Sequence, residues 1–397
     1  MKRPVRIILF TGKGGVGKTT AAGGTATVAA RRGHRTLVMS TDAAHSLGDA
    51  FGRPLGGEPT EVEPRLWVQQ IDAQRRFERS WGEIQHYLMS VLDAAGVDPI
   101  TAEELTVIPG AKEVLALLEL RTHALSDRWD VIVVDCAPTA ETLRLLALPE
   151  ALGWYMTRVF PVERRVVKAL KPVLSRAAGV PMPGDSVFDA VEGLHRDLRE
   201  VQQILSGAES TVRLVLTPEA VVVAEARRSL TTLSLYGYRV DGVIANRIFP
   251  EDAGDDWRQG WVTAQRRVLA EVAQSFAALP VWRSSYRSAE PVGPDGLAAF
   301  AEAAYDGADP LAVYAGEGPM TIARTEGGAL LRIDLPFATR DDVDLARHGE
   351  ELVVTVGSYR RLLSLPAALA RLEVAGARVE GGSLQVRFRI VQEAADE

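Results

Sequence analysis

Near its amino terminus the chain reads Gly12-Lys13-Gly14-Gly15-Val16-Gly17-Lys18-Thr19-Thr20, between the apolar run Val5 to Phe10 and an Ala-rich stretch, Thr20 to Arg32, that Gly33 closes. A buried strand, a phosphate-binding loop and a helix in this order form one βα unit. Such units pack as a mostly parallel sheet covered by helices. The glycines let backbone N–H groups close around phosphate oxygens, and the helix N-terminus adds partial positive charge. Gly12, Gly14, Gly15, Val16, Gly17, Lys18, Thr19 and Thr20 are therefore the expected nucleotide-binding residues. Lys18 reaches the β- and γ-phosphates of ATP. Thr19 offers a hydroxyl to Mg²⁺, which keeps several waters and takes few protein ligands.

An ordinary loop of this type needs one lysine, and this one holds two of the six in the chain. Lys13 lies early in the loop, where its side chain points away from a nucleotide in its own subunit. Either it is a solvated surface lysine or its partner is a nucleotide across a dimer interface. The pattern resembles the deviant P-loop of the arsenite-pump, tail-anchored-protein-targeting, MinD/ParA and nitrogenase-iron-protein ATPases. That resemblance implies a catalytic Lys13 acting in trans, as an arginine finger does, a contribution of roughly 10³ to 10⁵ in rate.

After a second strand, Thr36 to Ser40, comes Thr41-Asp42-Ala43-Ala44-His45-Ser46-Leu47-Gly48-Asp49-Ala50-Phe51. This segment resembles the first switch of the arsenite-pump and tail-anchor-targeting ATPases, with Ala43 where that family has proline. The resemblance implies that Asp42 is catalytic and orients the attacking water; an Asp here also suits a turn or a helix cap. The run Val131-Ile132-Val133-Val134 ends in Asp135, an acid at the carboxyl end of a strand, where α/β sheets place ligand-binding groups. Asp135 is expected to hold Mg²⁺ through water. Cys136-Ala137-Pro138-Thr139 and Glu141-Thr142-Leu143-Arg144 resemble the second switch of the same family. Farther on, Gly242 to Arg247 ends another apolar strand and resembles the place where the family reads adenine, which assigns that contact to Asn246. An Asn at a strand end can equally cap the next segment.

Composition removes other classes. A net charge of −7 and a pI near 5.6 do not suit broad nucleic-acid binding. No stretch approaches the ~18 or more apolar residues of a membrane span, and the start lacks a signal-peptide pattern, so a cytoplasmic protein is expected. The single cysteine, Cys136, permits no internal disulfide and no thiolate cluster for capturing arsenite. It also excludes the zinc that tail-anchor factors of eukaryotes bind through a C-x-x-C from each subunit, so no zinc is expected and a dimer must hold by other contacts. With no second P-loop, a trans lysine requires a homodimer.

Helical regions at about 72–126 and 140–206 exceed what a nucleotide core needs. Within the second, Val162, Val166, Val167, Leu170, Val173 and Leu174 share a helical face opposite Arg164, Arg165, Lys168 and Lys171. The resemblance implies a surface for a hydrophobic protein segment or apolar ligand, and packing within the subunit would use the same face. After a linker at 311–318 the periodicity changes to two: Ala329 to Pro336, Glu351 to Val356 and Ser383 to Phe388 read as strands of a β-sandwich. Residues 319–392, with I-D-L-P, L-S-L-P and A-G-A-R-V-E-G-G-S-L-Q-V, resemble the α-crystallin domain of small heat-shock proteins. The expected architecture is an α/β P-loop NTPase over 1–310 with an inserted helical subdomain, a small all-β sandwich, and a tail at 393–397. Its expected function is that of a homodimeric Mg²⁺-ATPase controlling an apolar client. The alternatives are an ATPase driving an arsenite pump and a MinD/ParA-like positioning ATPase.

Overall fold

The computed structural model describes residues 4–41, 46–71, 111–137, 139, 143, 185–251, 255–316 and 318–390. Eight strands make the main sheet: β1 (Arg6–Thr11), β2 (Thr36–Ser40), β3 (Thr60–Glu63), β4 (Leu66–Gln70), β5 (Val131–Asp135), β6 (Ser210–Leu216), β7 (Val240–Ile248) and β8 (Val281–Ser285). Their order is β3-β4-β2-β5-β1-β6-β7-β8, parallel throughout except between β3 and β4. β1 lies between β5 and β6; the chain runs from β1 to β2 on one side of it and crosses from β5 to β6 on the other, so the crevice at its carboxyl end is the switch point where such sheets bind ligands. The strands read as continuous apolar runs because both faces are covered; every residue of β1, β2, β5 and β6 is buried.

Helices α1 (Lys18–Arg31), α2 (Ser46–Phe51), α3 (Ala111–Leu125), α4 (Asp185–Leu205), α5 (Ala220–Leu235), α6 (Asp256–Ser275) and α7 (Gly293–Tyr305) accompany the sheet. α1 is small-residue rich because α7 crosses it closely: a Cβ on Gly24 would lie 2.5 Å from the Leu297 carbonyl oxygen. Of the two helical regions expected at 72–126 and 140–206, α3 and α4 are the described parts; the amphipathic segment from Val162 to Leu174 lies outside the described residues.

At the amino ends of the central strands, two arginines share one carboxylate. Arg213, Asp241 and Arg6 are all buried; Arg213 Nε donates to Asp241 Oδ1 at 3.1 Å and Arg6 Nη2 to Asp241 Oδ2 at 2.9 Å. Other donors of the pair reach main chain just beyond α7: Arg213 Nη1 to the Pro310 carbonyl at 2.7 Å and Arg6 Nε to the Leu311 carbonyl at 2.9 Å. Burial pulls the Arg6 pKa down to about 10 against the opposing pull of Asp241, which leaves it charged at neutral pH.

The carboxyl-terminal unit is all antiparallel. A four-stranded sheet, β14-β15-β10-β9, faces a three-stranded one, β11-β12-β13; the strands are β9 (Met320–Thr325), β10 (Gly328–Asp334), β11 (Val343–His348), β12 (Glu351–Val356), β13 (Tyr359–Ser364), β14 (Glu373–Glu380) and β15 (Ser383–Arg389). Leu331, Ile333, Leu352, Val354, Leu384, Val386 and Phe388 fill the space between them. Leu235, from the last turn of α5, belongs to the same core. A fully buried leucine is worth roughly 1.5–3 kcal/mol, so this footing is a stabilising contact. Tyr236 Oη donates to the Arg360 carbonyl at 3.3 Å, the Thr231 hydroxyl to that of Pro336, and the Arg361 guanidinium to that of Leu235.

Removing the carboxylate between two buried guanidiniums leaves uncompensated charge. Asp241→Asn is expected to lower unfolding free energy by about 3–5 kcal/mol, with part recovered on adding Arg213→Leu. Urea denaturation of both variants measures this, and an Asp241→Asn chain as stable as its parent would refute it.

Candidate functional site

β1 ends at Thr11, and the chain must turn at once into α1. Gly12 makes that turn at φ 154°, with a would-be Cβ 2.1 Å from the Val215 carbonyl oxygen of β6. Gly17, at φ 97°, is the N-cap of α1 and supplies no side chain there, so the first amides of the helix face the loop. At Gly14 and Gly15 an added Cβ would meet nothing within 4 Å; both are exposed, forming the open rim of a backbone cradle. A phosphate group fits such a cradle.

The two lysines part company. Lys18 is buried, and its Nζ donates to the Lys13 carbonyl at 3.4 Å, folding over the loop; Lys13 is half-buried. Thr19 Oγ1 donates to Asp135 Oδ2 at 2.8 Å and lies 3.2 Å from Ser46 Oγ at the start of α2. Two hydroxyls and a buried carboxylate are all oxygen donors, a set suited to a hard divalent cation such as Mg²⁺. Ser46 is an addition that the motif alone does not single out; its position, four residues after Asp42 and opening a helix, is the signal that could have found it.

Thr41 N–H donates to the Asp135 carbonyl at 3.0 Å, and Thr41 Oγ1 accepts from Ala137 N–H at 3.2 Å, so the two segments resembling switches leave the sheet clasped together. Asp42 and residues 43–45 lie outside the described residues, as do 138, 140–142 and 144–184. Cys136 is buried, with its N–H on the Phe10 carbonyl at 3.0 Å.

Asn246 sits where pairing of β7 with β8 slips between Ala245 and Ile248. Arg247, at φ 58°, takes the left-handed conformation that this irregularity demands. The result swings the Asn246 side chain under the loop: Nδ2 donates to the Val16 carbonyl at 2.9 Å, and Oδ1 accepts from Arg247 N–H at 2.9 Å. A Cβ on Gly17 would lie 2.3 Å from that Nδ2. Asn246 thus braces the loop, a contact not evident from its motif.

The geometry meets the comparisons with known proteins here. The model of the anion-transporting ATPases matches residues 5–306, and that of the HSP20-like domain found in these ATPases matches 326–388. The chain belongs to the anion-transporting ATPase family. It is an ATP hydrolase of that family, carrying the family's HSP20-like domain. It is 35% identical to a putative arsenical pump-driving ATPase of Chlorobaculum tepidum over 97% of this chain and 96% of the relative. It is 39% identical to an uncharacterized protein of Streptomyces coelicolor over 97% of each. An ATPase ASNA1 homolog of Trypanosoma cruzi is 29% identical over 74% of this chain and 89% of that protein.

The close approaches predict an order of damage. Gly12→Ala drives a methyl into main chain that cannot rotate away, whereas Gly17→Ala meets the tip of an amide side chain. Both should weaken ATP binding, Gly12→Ala more severely and with a lower melting temperature. Calorimetric titration and thermal melts check this; a Gly12→Ala chain with parental stability and affinity would refute the packing argument.

Proposed function

We propose that this ATPase works in the cytoplasm as an Mg²⁺-dependent homodimer whose closing on ATP and reopening after hydrolysis control a surface for a hydrophobic protein segment or another apolar ligand. The observation that carries this is the division of the loop's lysines. Lys18 is buried and folds over the phosphate cradle onto the Lys13 carbonyl, whereas Lys13 is half-buried, a difference that supports separate roles for the two, with Lys13 reaching a nucleotide in a second subunit. In this reading Lys18 holds the β- and γ-phosphates, Asp42 orients the attacking water, and Lys13 of the opposite subunit offsets charge that develops in the transition state. Thr19, and Asp135 through water, would hold the metal, which would supply charge to neutralise the phosphates. The described residues include no helix long and apolar enough to cross a membrane.

Asn246 has capacity for two tasks. Its amide has two N–H donors and two carbonyl lone pairs, and the loop contacts use one of each. The remaining donor and lone pair suffice to read adenine, which would link base recognition to the shape of the phosphate loop. The ATPase unit over 1–310 and the sandwich over 319–392 then divide the labour, catalysis in the first and client contact in the second.

The relatives named arsenical pump-driving ATPases favour a second reading, metalloid-stimulated turnover. Cys136 argues against it: the chain has one cysteine, and it is buried. Soft-ligand capture of arsenite needs several thiolates brought together.

Lys18→Ala is expected to weaken ATP binding and turnover together, whereas Lys13→Ala should largely spare binding and lose turnover. Mixing Lys13→Ala with Asp42→Asn subunits should restore activity at one composite site, since one of the two sites then has an intact lysine in trans and an intact aspartate in cis. Mixtures that stay inactive while heterodimers form would refute the trans assignment.

Arsenite and antimonite should leave turnover unchanged, and Cys136→Ser should stay within a few fold of the parent. Saturable arsenite activation that the serine change abolishes would establish the pump reading instead.

A further inference from the structure

Helix α1 carries the phosphate cradle at its amino end, yet it meets α7 through small residues. Besides Gly24 against the Leu297 carbonyl, a Cβ on Gly23 would lie 3.1 Å from Leu297 Cδ1. Such a contact brings two helices close but interlocks few of the side-chain ridges that would stop one sliding along the other. Arg31 and Asp295 also join the two helices, at 2.6 Å, but that pair lies at the surface, where ion pairs are worth little.

A directed chain of hydrogen bonds crosses the same contact. Thr25 Oγ1 donates to the Ala21 carbonyl at 2.7 Å, which uses its one hydrogen. Tyr305 Oη, 2.8 Å away on the last residue of α7, is therefore the donor to Thr25. Its own oxygen accepts from Arg213 Nη1 at 2.9 Å. Both ends fix the direction, because a guanidinium only donates and a main-chain carbonyl only accepts. Thr25, Tyr305 and Arg213 are all buried. Arg213 cannot follow a moving Tyr305, since Asp241 and the Pro310 carbonyl hold the same guanidinium. Trp282 confines the pair further: Arg213 lies over its ring at 4.9 Å, and Tyr305 packs edge-on to it with centroids 5.0 Å apart.

We propose that Tyr305 is a positioning residue for ATP hydrolysis: its buried hydroxyl sets where α1 rests along α7, and with it the height of the phosphate cradle at the carboxyl edge of the sheet. The bond acts close to the cradle. Thr25 bonds the Ala21 carbonyl, and Ala21 N–H bonds the Gly17 carbonyl at 3.0 Å, so one hydrogen-bonded column of α1 leads from Tyr305 to the N-cap. A hydroxyl bonded to the carbonyl four residues back also bends a helix, and the Tyr305 proton holds the Thr25 hydroxyl in that orientation. Moving α1 displaces the cradle amides as a set, which weakens ground-state and transition-state contacts alike. The inference rests on ATP binding at the loop and is independent of whether Lys13 acts in trans.

The test uses the full chain with Mg²⁺ and steady-state ATP hydrolysis. Tyr305→Phe keeps the ring against Trp282 and removes the hydroxyl alone. It is expected to raise KM for ATP about fivefold, the change worth one net hydrogen bond, with kcat close to that of the parent. Calorimetric titration with a non-hydrolysable analogue should show the same weakening. Thr25→Val removes the acceptor and should give a similar shift, whereas Thr25→Ser keeps it and should retain the parental KM. Tyr305→Phe combined with Thr25→Val should be no worse than either alone, because both remove one bond. A Tyr305→Phe chain that melts lower but keeps the parental KM overturns the proposal. So do shifts that multiply in the double variant, and a Thr25→Ser chain as weak as Thr25→Val. Lys18→Ala separates the two readings. If that chain binds ATP as the parent does, the loop is not the nucleotide site; a weakened Lys18→Ala beside a parental KM in Tyr305→Phe defeats the positioning role alone.

Discussion

Two guanidiniums around one carboxylate, at the base of the sheet, fix the geometry at its top. Arg6 begins β1, Arg213 lies in β6 and Asp241 opens β7, so the network ties together three strands whose carboxyl ends carry the P-loop, the Val215 carbonyl and Asn246. A slip of one residue in any of them would move its whole side-chain set to the other face. The same arginines take the carbonyls of Pro310 and Leu311, so the path toward the sandwich is set by the charges that set the strand register. A buried ion cluster is a costly way to stabilise a fold, since hydrophobic replacements often do as well. What it offers here is placement, because the planar forks of arginine accept few alternative arrangements.

The site has a division of its own between rigid and strained parts. Gly12 and Gly17 admit backbone and side-chain neighbours closer than a Cβ allows, which makes the loop shape a product of packing against β6 and Asn246. Arg247 bears the strain that turns Asn246 inward. Strained residues persist where their surroundings over-determine them, and Gln265 supplies that restraint from α6. The loop, Asn246 and helix α6 are therefore one mechanical unit.

Much of this was legible in the sequence. Continuous apolar runs ending in Thr11, Asp135 and Asn246 identified buried parallel strands because helices cover both faces, and the change to period two after residue 319 marked the sandwich because each of its sheets has one dry face. The P-loop was legible for a different reason: its glycines answer to local backbone geometry. Contacts that depend on three-dimensional closure were not. The brace from Asn246 to Val16 arises from a register slip that no residue type announces, and Ser46 meets Thr19 only because α2 folds back over α1. Trp257 and Trp261, four apart, have the spacing of a core-facing helix stripe; only the placement of α6 at the rim turns them outward. The burial of Arg213 and Asp241 was not legible either, for charge alone says nothing about burial.

Helix α5 has its far end inside another domain's core, which matters while the chain is being made. It begins just after β6, beside the nucleotide edge, and ends with Leu235 among the apolar residues of the sandwich. During synthesis that last turn emerges well before β15, the strand that completes its cover. At about 5–20 residues per second the interval is on the order of ten seconds, long enough for the sheet to assemble with one apolar end bare. The nascent ATPase unit therefore passes through a stage in which a sticky helix terminus is presented at the ribosome, and the sandwich ends that exposure from within the same polypeptide.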